Sequence, residues 1–367
     1  MSSFSIPFTY ISPGYTQDRE TILSKIDKVL TDGPLIMGPE LELFEQTFAK
    51  YCEASSAVGV GNGLDAITLI LKAMGISAGD EVIVPSHTFI ASWLPVSSVG
   101  ATVVPVATDL ETYCISIDAA KKAVTDRTRA IIGVHLYGHP FEAVELRKFC
   151  DEKGIYLVED CAQAHGATLG GRKVGSFGHA AAFSFYPTKT LGAMGDAGIV
   201  VTSDDQIYKR IMLLRNYGSV EKYNHEIIGG NSRLDEVQAA FLNCRLKRLD
   251  SENMRRRQIA TMYNNGLTSQ ELVLPLVANG ANHAYHLYVV RHPERDRLRD
   301  YLKDRLVDTL IHYPIPCHRQ RCFKELGIQK DDFPCANKAS AEVLSLPLSP
   351  FHTDEEIEVV IDVINRF

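Results

Sequence analysis

A lysine that follows an apolar strand and enters a loop of small residues is the first chemically suggestive feature of the chain: Ser184-Phe-Tyr-Pro-Thr-Lys189-Thr-Leu-Gly-Ala-Met-Gly-Asp-Ala-Gly198. Small residues let a bound group approach the backbone closely. An isolated lysine is usually a solvated surface residue, so partners elsewhere must carry the argument. One is Asp160, at the end of the apolar run Ile155-Tyr-Leu-Val-Glu-Asp160-Cys-Ala-Gln163-Ala-His165. Ligands of open α/β sheets collect at the carboxyl ends of such strands, although an aspartate there also suits a helix N-cap. A third feature is Ala57-Val-Gly-Val-Gly-Asn-Gly63-Leu64-Asp65, which sets glycines between a short strand and a helix starting near Leu64. Free N–H groups at a helix start attract anions. Alone, this loop equally fits a tight turn or a nicotinamide-dinucleotide site, though its spacing departs from G-x-G-x-x-G.

These residues match the needs of pyridoxal 5'-phosphate, which requires an amine for covalent attachment, a carboxylate at the ring nitrogen, a phosphate cradle and a flat group against the ring. Lys189 supplies the amine, and desolvation beside a cationic cofactor would lower its pKa enough for it to act as a base near neutrality. Asp160 supplies the carboxylate. Gly63, Leu64 and the Ser184 hydroxyl form the cradle, and Phe89, after the run ending at Pro85, is the aromatic candidate for the ring face. Phe89 also suits an ordinary core position.

Short apolar runs alternate with helical patterns through the first two-thirds of the chain, as in strand-helix-strand units on a sheet buried on both faces. Strands are expected at 81–85, 102–106, 130–135, 155–158 and 198–202, and helices at 39–51 and from Leu64 to Met74. From about Asp250 the pattern changes to a long polar helix, isolated strands near Leu272 and His286 to Arg291, and a closing helix from Asp354 to Asn365. The expected fold class is α/β: a large lobe, residues 1–249, with a mainly parallel mixed sheet flanked by helices, and a smaller α+β lobe, residues 250–367. There is no Gly/Ser tether between them.

With 367 residues, 45% hydrophobic and 23% charged, the chain is long enough for a sizeable core. A net charge of -7, from 38 basic and 45 acidic residues, gives no purchase for nucleic acid or an anionic membrane. The eight cysteines show no C-x-x-C or zinc spacing, so no metal site is expected and the thiols read as reduced, in a cytoplasmic protein. Met1 to Tyr15 has neither a basic leader region nor a sustained apolar run.

Taken in order, these stretches, with Gly38-Pro-Glu-Leu-Glu-Leu-Phe-Glu, Arg215-Asn-Tyr-Gly218, Gly230-Asn231-Ser-Arg-Leu-Asp-Glu, Tyr313-Pro-Ile-Pro-Cys-His318 and Leu344-Ser-Leu-Pro347, resemble the DegT/DnrJ/EryC1/StrS sugar aminotransferases. These are fold-type I pyridoxal-phosphate enzymes. The resemblance implies Lys189 as the Schiff-base lysine, Asp160 at the pyridine nitrogen, and Gln163 near the ring hydroxyl. It further implies Gly63, Leu64 and Ser184 at the phosphate, Phe89 on the ring, and His318 near the sugar. Asn231 would reach the phosphate of a neighbouring subunit, making a homodimer with a shared active site. Two departures from the commonest pattern, Leu64 in place of a threonine and Gly195-Asp196-Ala-Gly in place of Gly-Glu-Gly-Gly, resemble enzymes that aminate C3 of thymidine-diphosphate-linked 3-keto-6-deoxy sugars.

The implied reaction is ping-pong: L-glutamate converts the cofactor to pyridoxamine 5'-phosphate, and a nucleotide-linked keto sugar takes the amine. The product would serve surface polysaccharide, such as lipopolysaccharide O-antigen, or antibiotic sugars. The alternatives are a 4-keto sugar aminotransferase, a nicotinamide-dependent oxidoreductase using the glycine loop, and a relative without amination, either a dehydratase or a cofactor-binding regulator. The oxidoreductase leaves Asp160 and Lys189 unexplained. The related dehydratases carry histidine where this chain has Lys189.

Overall fold

Alternation of buried side chains along each strand divides the core between the two faces of one seven-stranded sheet. The computed structural model describes residues 6–329 and 331–367; the first five residues of the stretch read for a leader lie outside them. The chain opens with helices α1 (Ser12–Asp32) and α2 (Pro39–Tyr51), then strand β1 (Ser56–Val60) and helix α3 (Gly63–Ala73). There follow β2 (Glu81–Pro85), α4 (Leu94–Ser98), β3 (Thr102–Val106), α5 (Ile117–Ala123), β4 (Thr128–Val134), α6 (Ala143–Lys153) and β5 (Tyr156–Asp160). Two short strands, β6 (Thr168–Leu169) and β7 (Arg172–Lys173), precede β8 (Ala180–Ser184), β9 (Gly198–Thr202) and α7 (Asp205–Leu214).

The large sheet has the order β1-β9-β8-β5-β4-β2-β3. Strand β9 runs antiparallel to β1 and β8, and the remaining pairs are parallel. Val82, Val84, Ile132, Val158 and Val200 join one core, whereas Ile83, Ile131 and Leu157 join a second and Ile199 and Val201 a third. Period-two alternation in strands covered on both sides produces this division.

Beyond α7 come a short hairpin, β10 (Ser219–Glu221) and β11 (Asn224–His225), and then α8 (Glu236–Arg245) and α9 (Leu249–Gly266). Strands β12 (Ala281–Asn282) and β13 (Tyr288–Arg291), helices α10 (Arg295–Lys303) and α11 (Pro334–Glu342), strand β14 (Val343–Leu346) and helix α12 (Asp354–Asn365) complete the chain. The segment leading into and along β13 is a wall between two cores. Leu287 and Val289 face the large sheet's core, while Tyr288 and Val290 face a separate core with Tyr263, Leu298 and Ile357. Helix α12 begins with a capping box in which Thr353 and Glu356 satisfy each other's backbone N–H groups. Among the described residues no helix is long and apolar enough to cross a membrane.

The fold brings α3 down onto the ends of β8 and β9, and only small residues permit that approach. A Cβ on Gly63 would lie 2.7 Å from Ser184 Cβ, and one on Gly198 would lie 2.4 Å from the carbonyl carbon of Asn62. The obstacle at Gly198 is backbone, which cannot rotate aside. Gly198→Ala is therefore expected to destabilise the protein by about 1–3 kcal/mol through overpacking and to weaken anion binding at the start of α3. A lowered urea midpoint together with poorer phosphate protection would show this, whereas a wild-type midpoint would mean that the Asn62 turn yields freely.

Candidate active site

Asp160 is the last residue of β5 and is buried. Its Oδ2 accepts a hydrogen bond from Ser92 Oγ at 2.7 Å, and Oδ1 accepts from the Ala162 N–H at 3.1 Å. Ser92 in turn lies 2.9 Å from Thr88 Oγ1. The carboxylate is thus held by a hydroxyl relay from the segment after β2, and it caps a turn rather than a helix. Its neighbour Glu159 points to the other side of the sheet, as alternation requires.

Glu159 accepts from the N–H groups of Gly175, Phe177 and Gly178 and sits 2.9 Å from His135 Nε2. Burial pushes this carboxyl up, but the bonds from His135, Gly178 and Gly175 outweigh burial and hold it below the usual range. His135, Glu159 and Cys161 come close enough to suggest a metal site. However, His135 Nδ1 accepts from the Phe141 N–H, so both ring nitrogens are in use. The Glu159 oxygens are equally occupied, and the cluster is spent on pinning the loop after β7.

Lys189 follows β8 on a turn closed by its own N–H to the Tyr186 carbonyl, 2.8 Å. Desolvation lowers its ammonium to about 8, against an opposing pull from the Asp160 charge. Three histidines, two buried and His312 half-buried, feel its charge. His165, whose Nδ1 is 3.1 Å from Thr190 Oγ1, is lowered to about 3 by burial and then by the Lys189 charge. His312 is lowered to about 4 by the same two causes, and His286 is lowered further. All three are neutral at physiological pH, so Asp160 is the charge that acts on the amine.

Gln163 and Phe89 meet at Tyr313, to which the sequence assigns no role of its own. Gln163 Oε1 accepts from the Tyr137 N–H at 2.7 Å and its Nε2 donates to Tyr313 Oη at 2.9 Å. Tyr313 also packs against Phe89, ring centroids 5.2 Å apart. Phe89 remains 50% exposed, as a platform for a flat ligand would be, whereas a core aromatic would be covered. Tyr137 reaches the His312 carbonyl through its hydroxyl and lies 2.9 Å from His87 Nε2. Tyr313 opens the stretch whose far end, His318, is the residue the resemblance puts near the sugar. The structure places His318 in a buried setting against Phe333.

At the opposite edge, α3 starts at Gly63 with Asn62 as N-cap, its side chain accepting from the Asp65 N–H at 2.8 Å. The early N–H groups of α3 and the Ser184 hydroxyl face one another across the Gly63–Ser184 contact. Such an arrangement suits a phosphate. Leu64 contributes only backbone here; its carbonyl accepts from Thr68 Oγ1. Ser232 braces the loop by donating to Asp65 Oδ2 at 2.6 Å and accepting from the Gly61 N–H. Asn231 is exposed, and among the described residues no hydrogen bond joins it to Gly63, Leu64 or Ser184 of its own chain.

An amine of lowered pKa, a buried carboxylate, a two-sided anion cradle and an exposed aromatic thus follow the carboxyl ends of β8, β5, β1 and β2 in one sheet, and this donor set fits pyridoxal 5'-phosphate. Comparison with known proteins agrees. Residues 16–365 match the DegT/DnrJ/EryC1/StrS aminotransferase family. The chain is 46% identical over 363 residues to a dTDP-3-amino-3,4,6-trideoxy-alpha-D-glucose transaminase of Streptomyces venezuelae, covering 99% of this chain and 96% of that one. It is 45% identical over 362 residues to a dTDP-3-amino-3,6-dideoxy-alpha-D-galactopyranose transaminase of Aneurinibacillus thermoaerophilus, covering 99% of both. The crystal structure of S. venezuelae DesV in complex with a ketimine intermediate superposes with a TM-score of 0.97 at 46% identity, covering 99% of this chain and 98% of that one.

The lowered Lys189 pKa has a direct kinetic consequence. Only the neutral amine attacks an aldehyde, so capture of pyridoxal phosphate by cofactor-free protein should accelerate as pH rises through about 8 and then level off. Absorbance-monitored reconstitution across pH 6.5–10 checks this, and a rate still climbing toward the ordinary lysine range near ~10.4 would show an unperturbed amine.

Proposed function

This chain belongs to the DegT/DnrJ/EryC1/StrS aminotransferase family, and on that premise we propose that it aminates C3 of a 3-keto-6-deoxyhexose carried on thymidine diphosphate. Pyridoxal 5'-phosphate is the cofactor. The observation that carries the reading is the desolvated Lys189 amine acted on by buried Asp160, in a chain with this likeness to dTDP-3-amino sugar transaminases. L-glutamate is the proposed amino donor, and the proposed location is the cytoplasm, in keeping with eight unpaired cysteines.

In this reading Lys189 and Asp160 are the catalytic residues. The cofactor supplies a conjugated ring that accepts the electron pair left when a proton leaves the substrate carbon. Asp160, steadied by Ser92, holds the proton on the ring nitrogen and so keeps that ring electron-poor. Lys189 takes the proton from carbon and returns it, a task suited to an amine with a pKa of about 8. The N–H groups of Gly63 and Leu64 and the Ser184 hydroxyl bind the phosphate. Phe89 covers one ring face, and Gln163, oriented by Tyr137 and Tyr313, addresses the ring hydroxyl. His318 is the proposed sugar-side residue.

A homodimer with a shared site completes the proposal. Its support is that Asn231 is exposed and unattached to its own cradle, and that the hairpin region beside it exposes Tyr217, Tyr223 and Ile228 at 48%, 84% and 97%. Apolar exposure of this extent in one region is a mark of an interface.

Two experiments test these readings. Incubation with glutamate and the 3-keto or the 4-keto isomer of a dTDP-6-deoxyhexose, followed by NMR of the product, should place nitrogen on C3, with the 4-keto isomer at least a hundredfold slower, since an ångström's misplacement costs about that much. Exclusive C4 amination would overturn the regiochemistry and leave the family assignment intact. Separately, inactive Lys189→Ala and inactive Asn231→Ala proteins, mixed under conditions where subunits exchange, should recover up to about a quarter of wild-type activity, because one site of each heterodimer is intact. Exchange without recovery would rule out the shared site.

A further inference from the structure

A buried guanidinium with no carboxylate in contact lines the same cavity as Lys189. The cavity has a volume of about 350 Å³, and its lining includes Tyr10, Lys189, Met194, Arg245, Glu252 and Arg256. Its two arginines differ sharply. Arg245 is satisfied: it donates to both oxygens of Glu252, at 2.8 and 2.9 Å, and to the Gly14 carbonyl at 2.9 Å.

Arg256, one helical turn past Glu252 on α9, is 6% exposed and among the described residues makes two long hydrogen bonds, to the carbonyls of Tyr285 at 3.5 Å and Leu348 at 3.4 Å. Its Nε is buried without a partner. It enters no ion pair among the described residues, since Glu252 is committed to Arg245. A guanidinium offers five donors, and burying one without an anion is costly. Its fork is therefore open to an anionic ligand in the cavity.

His286, in the segment before β13, is a second buried group with a free ring nitrogen: its Nδ1 has no hydrogen-bond partner among the described residues. Burial pulls Arg256 down to about 10, partly offset by Glu252, so it is still a cation at neutral pH.

We propose that Arg256 forms the subsite for a carboxylate of the amino-acid donor next to Lys189. The inference rests on the aminotransferase reading above and extends it to the donor. The fork of a guanidinium matches a carboxylate with two parallel bonds. The other anion available to this enzyme is the nucleotide diphosphate of the acceptor. The cavity's size favours the amino acid, because about 350 Å³ lies at the small end of ligand pockets and holds an amino acid more readily than a nucleotide sugar. An α-amino acid also carries its carboxylate on the carbon that must meet the Lys189 amine.

The test uses glutarate, a dicarboxylate without an amine, and thymidine diphosphate, each titrated calorimetrically into wild-type, Arg256→Gln and Arg256→Lys holoenzymes whose cofactor absorbance and thermal midpoint are checked first. Glutarate affinity should fall about 10- to 100-fold in Arg256→Gln, the loss of a charged hydrogen-bond pair. It should fall at least about threefold in Arg256→Lys, which keeps the charge but loses the fork. Thymidine diphosphate should bind all three alike, and KM for glutamate should rise in parallel with the glutarate loss while KM for the keto sugar holds. If Arg256→Gln does not fold, the lysine variant decides alone. Equal glutarate binding by a folded variant and the wild type, no glutarate binding by the wild type, or a loss confined to thymidine diphosphate would each overturn the subsite. A wild-type enzyme that binds glutarate but does not turn over glutamate would instead count against the donor reading, leaving the comparison of variants to judge Arg256.

Discussion

Two adjacent carboxylates at the end of one buried strand impose the constraint on which this architecture rests. Glu159 and Asp160 cannot share an environment, because successive side chains of a strand leave on opposite faces. Glu159 goes into the body of the lobe and exhausts its oxygens on His135 and three backbone N–H groups, which pins the loop after β7 and thereby the start of β8. Asp160 goes to the ligand side and is steadied by a single hydroxyl, Ser92 Oγ. One carboxylate fixes the strand that carries Lys189, and the other sets the electrostatics that Lys189 feels. A buried carboxylate is tolerated only with such bonds, so the structural residue and the catalytic candidate depend on the same strand end.

The surroundings of Lys189 extend this logic. Desolvation moves an amine toward its neutral form, and protonated neighbours would add to that effect. The three nearby histidines are themselves desolvated below the range in which they charge. The amine is therefore tuned by burial against one carboxylate, which leaves it at about 8. Two of those histidines, His286 and His312, come from the chain after α9, and its packing matters for that reason. The segment running into β13 packs one face on the large sheet's core and the other on its own core, so it locates His286 and, through β14 and Ser345, His312.

Local pattern made much of this legible. The strands expected at 81–85, 102–106 and 198–202 and the helices at 39–51 and 354–365 match the observed spans, because each is a run whose burial depends on its own period. Helix α1 was not anticipated. Of its 21 residues only Gly14, Ile22 and Val29 are buried, so it has little apolar stripe to detect and is held instead by packing on α8, where Ile22 meets Phe241 and Cys244. The weight placed on His318 and withheld from Tyr313 has a similar origin. A tyrosine in a Pro-rich stretch carries no local sign that it will touch Gln163, 150 positions away, and Phe89 beyond it.

The division is therefore physical. By itself the sequence determined the chemical kinds available and their strand ends: an amine at Lys189, a carboxylate at Asp160, glycines before α3 and the periodicities that made an α/β sheet. These are properties of neighbouring residues, set by alternation, turn chemistry and helix starts within a few positions. Tertiary structure alone decided that Ser92 rather than a helix end would hold Asp160, that Tyr313 would join Gln163 to Phe89, and that Arg256 would be buried beside Lys189's cavity without a counter-ion. Those are contacts between segments far apart in the chain, and desolvation, which sets the charge state of every one of these groups, exists only once the segments have closed around them.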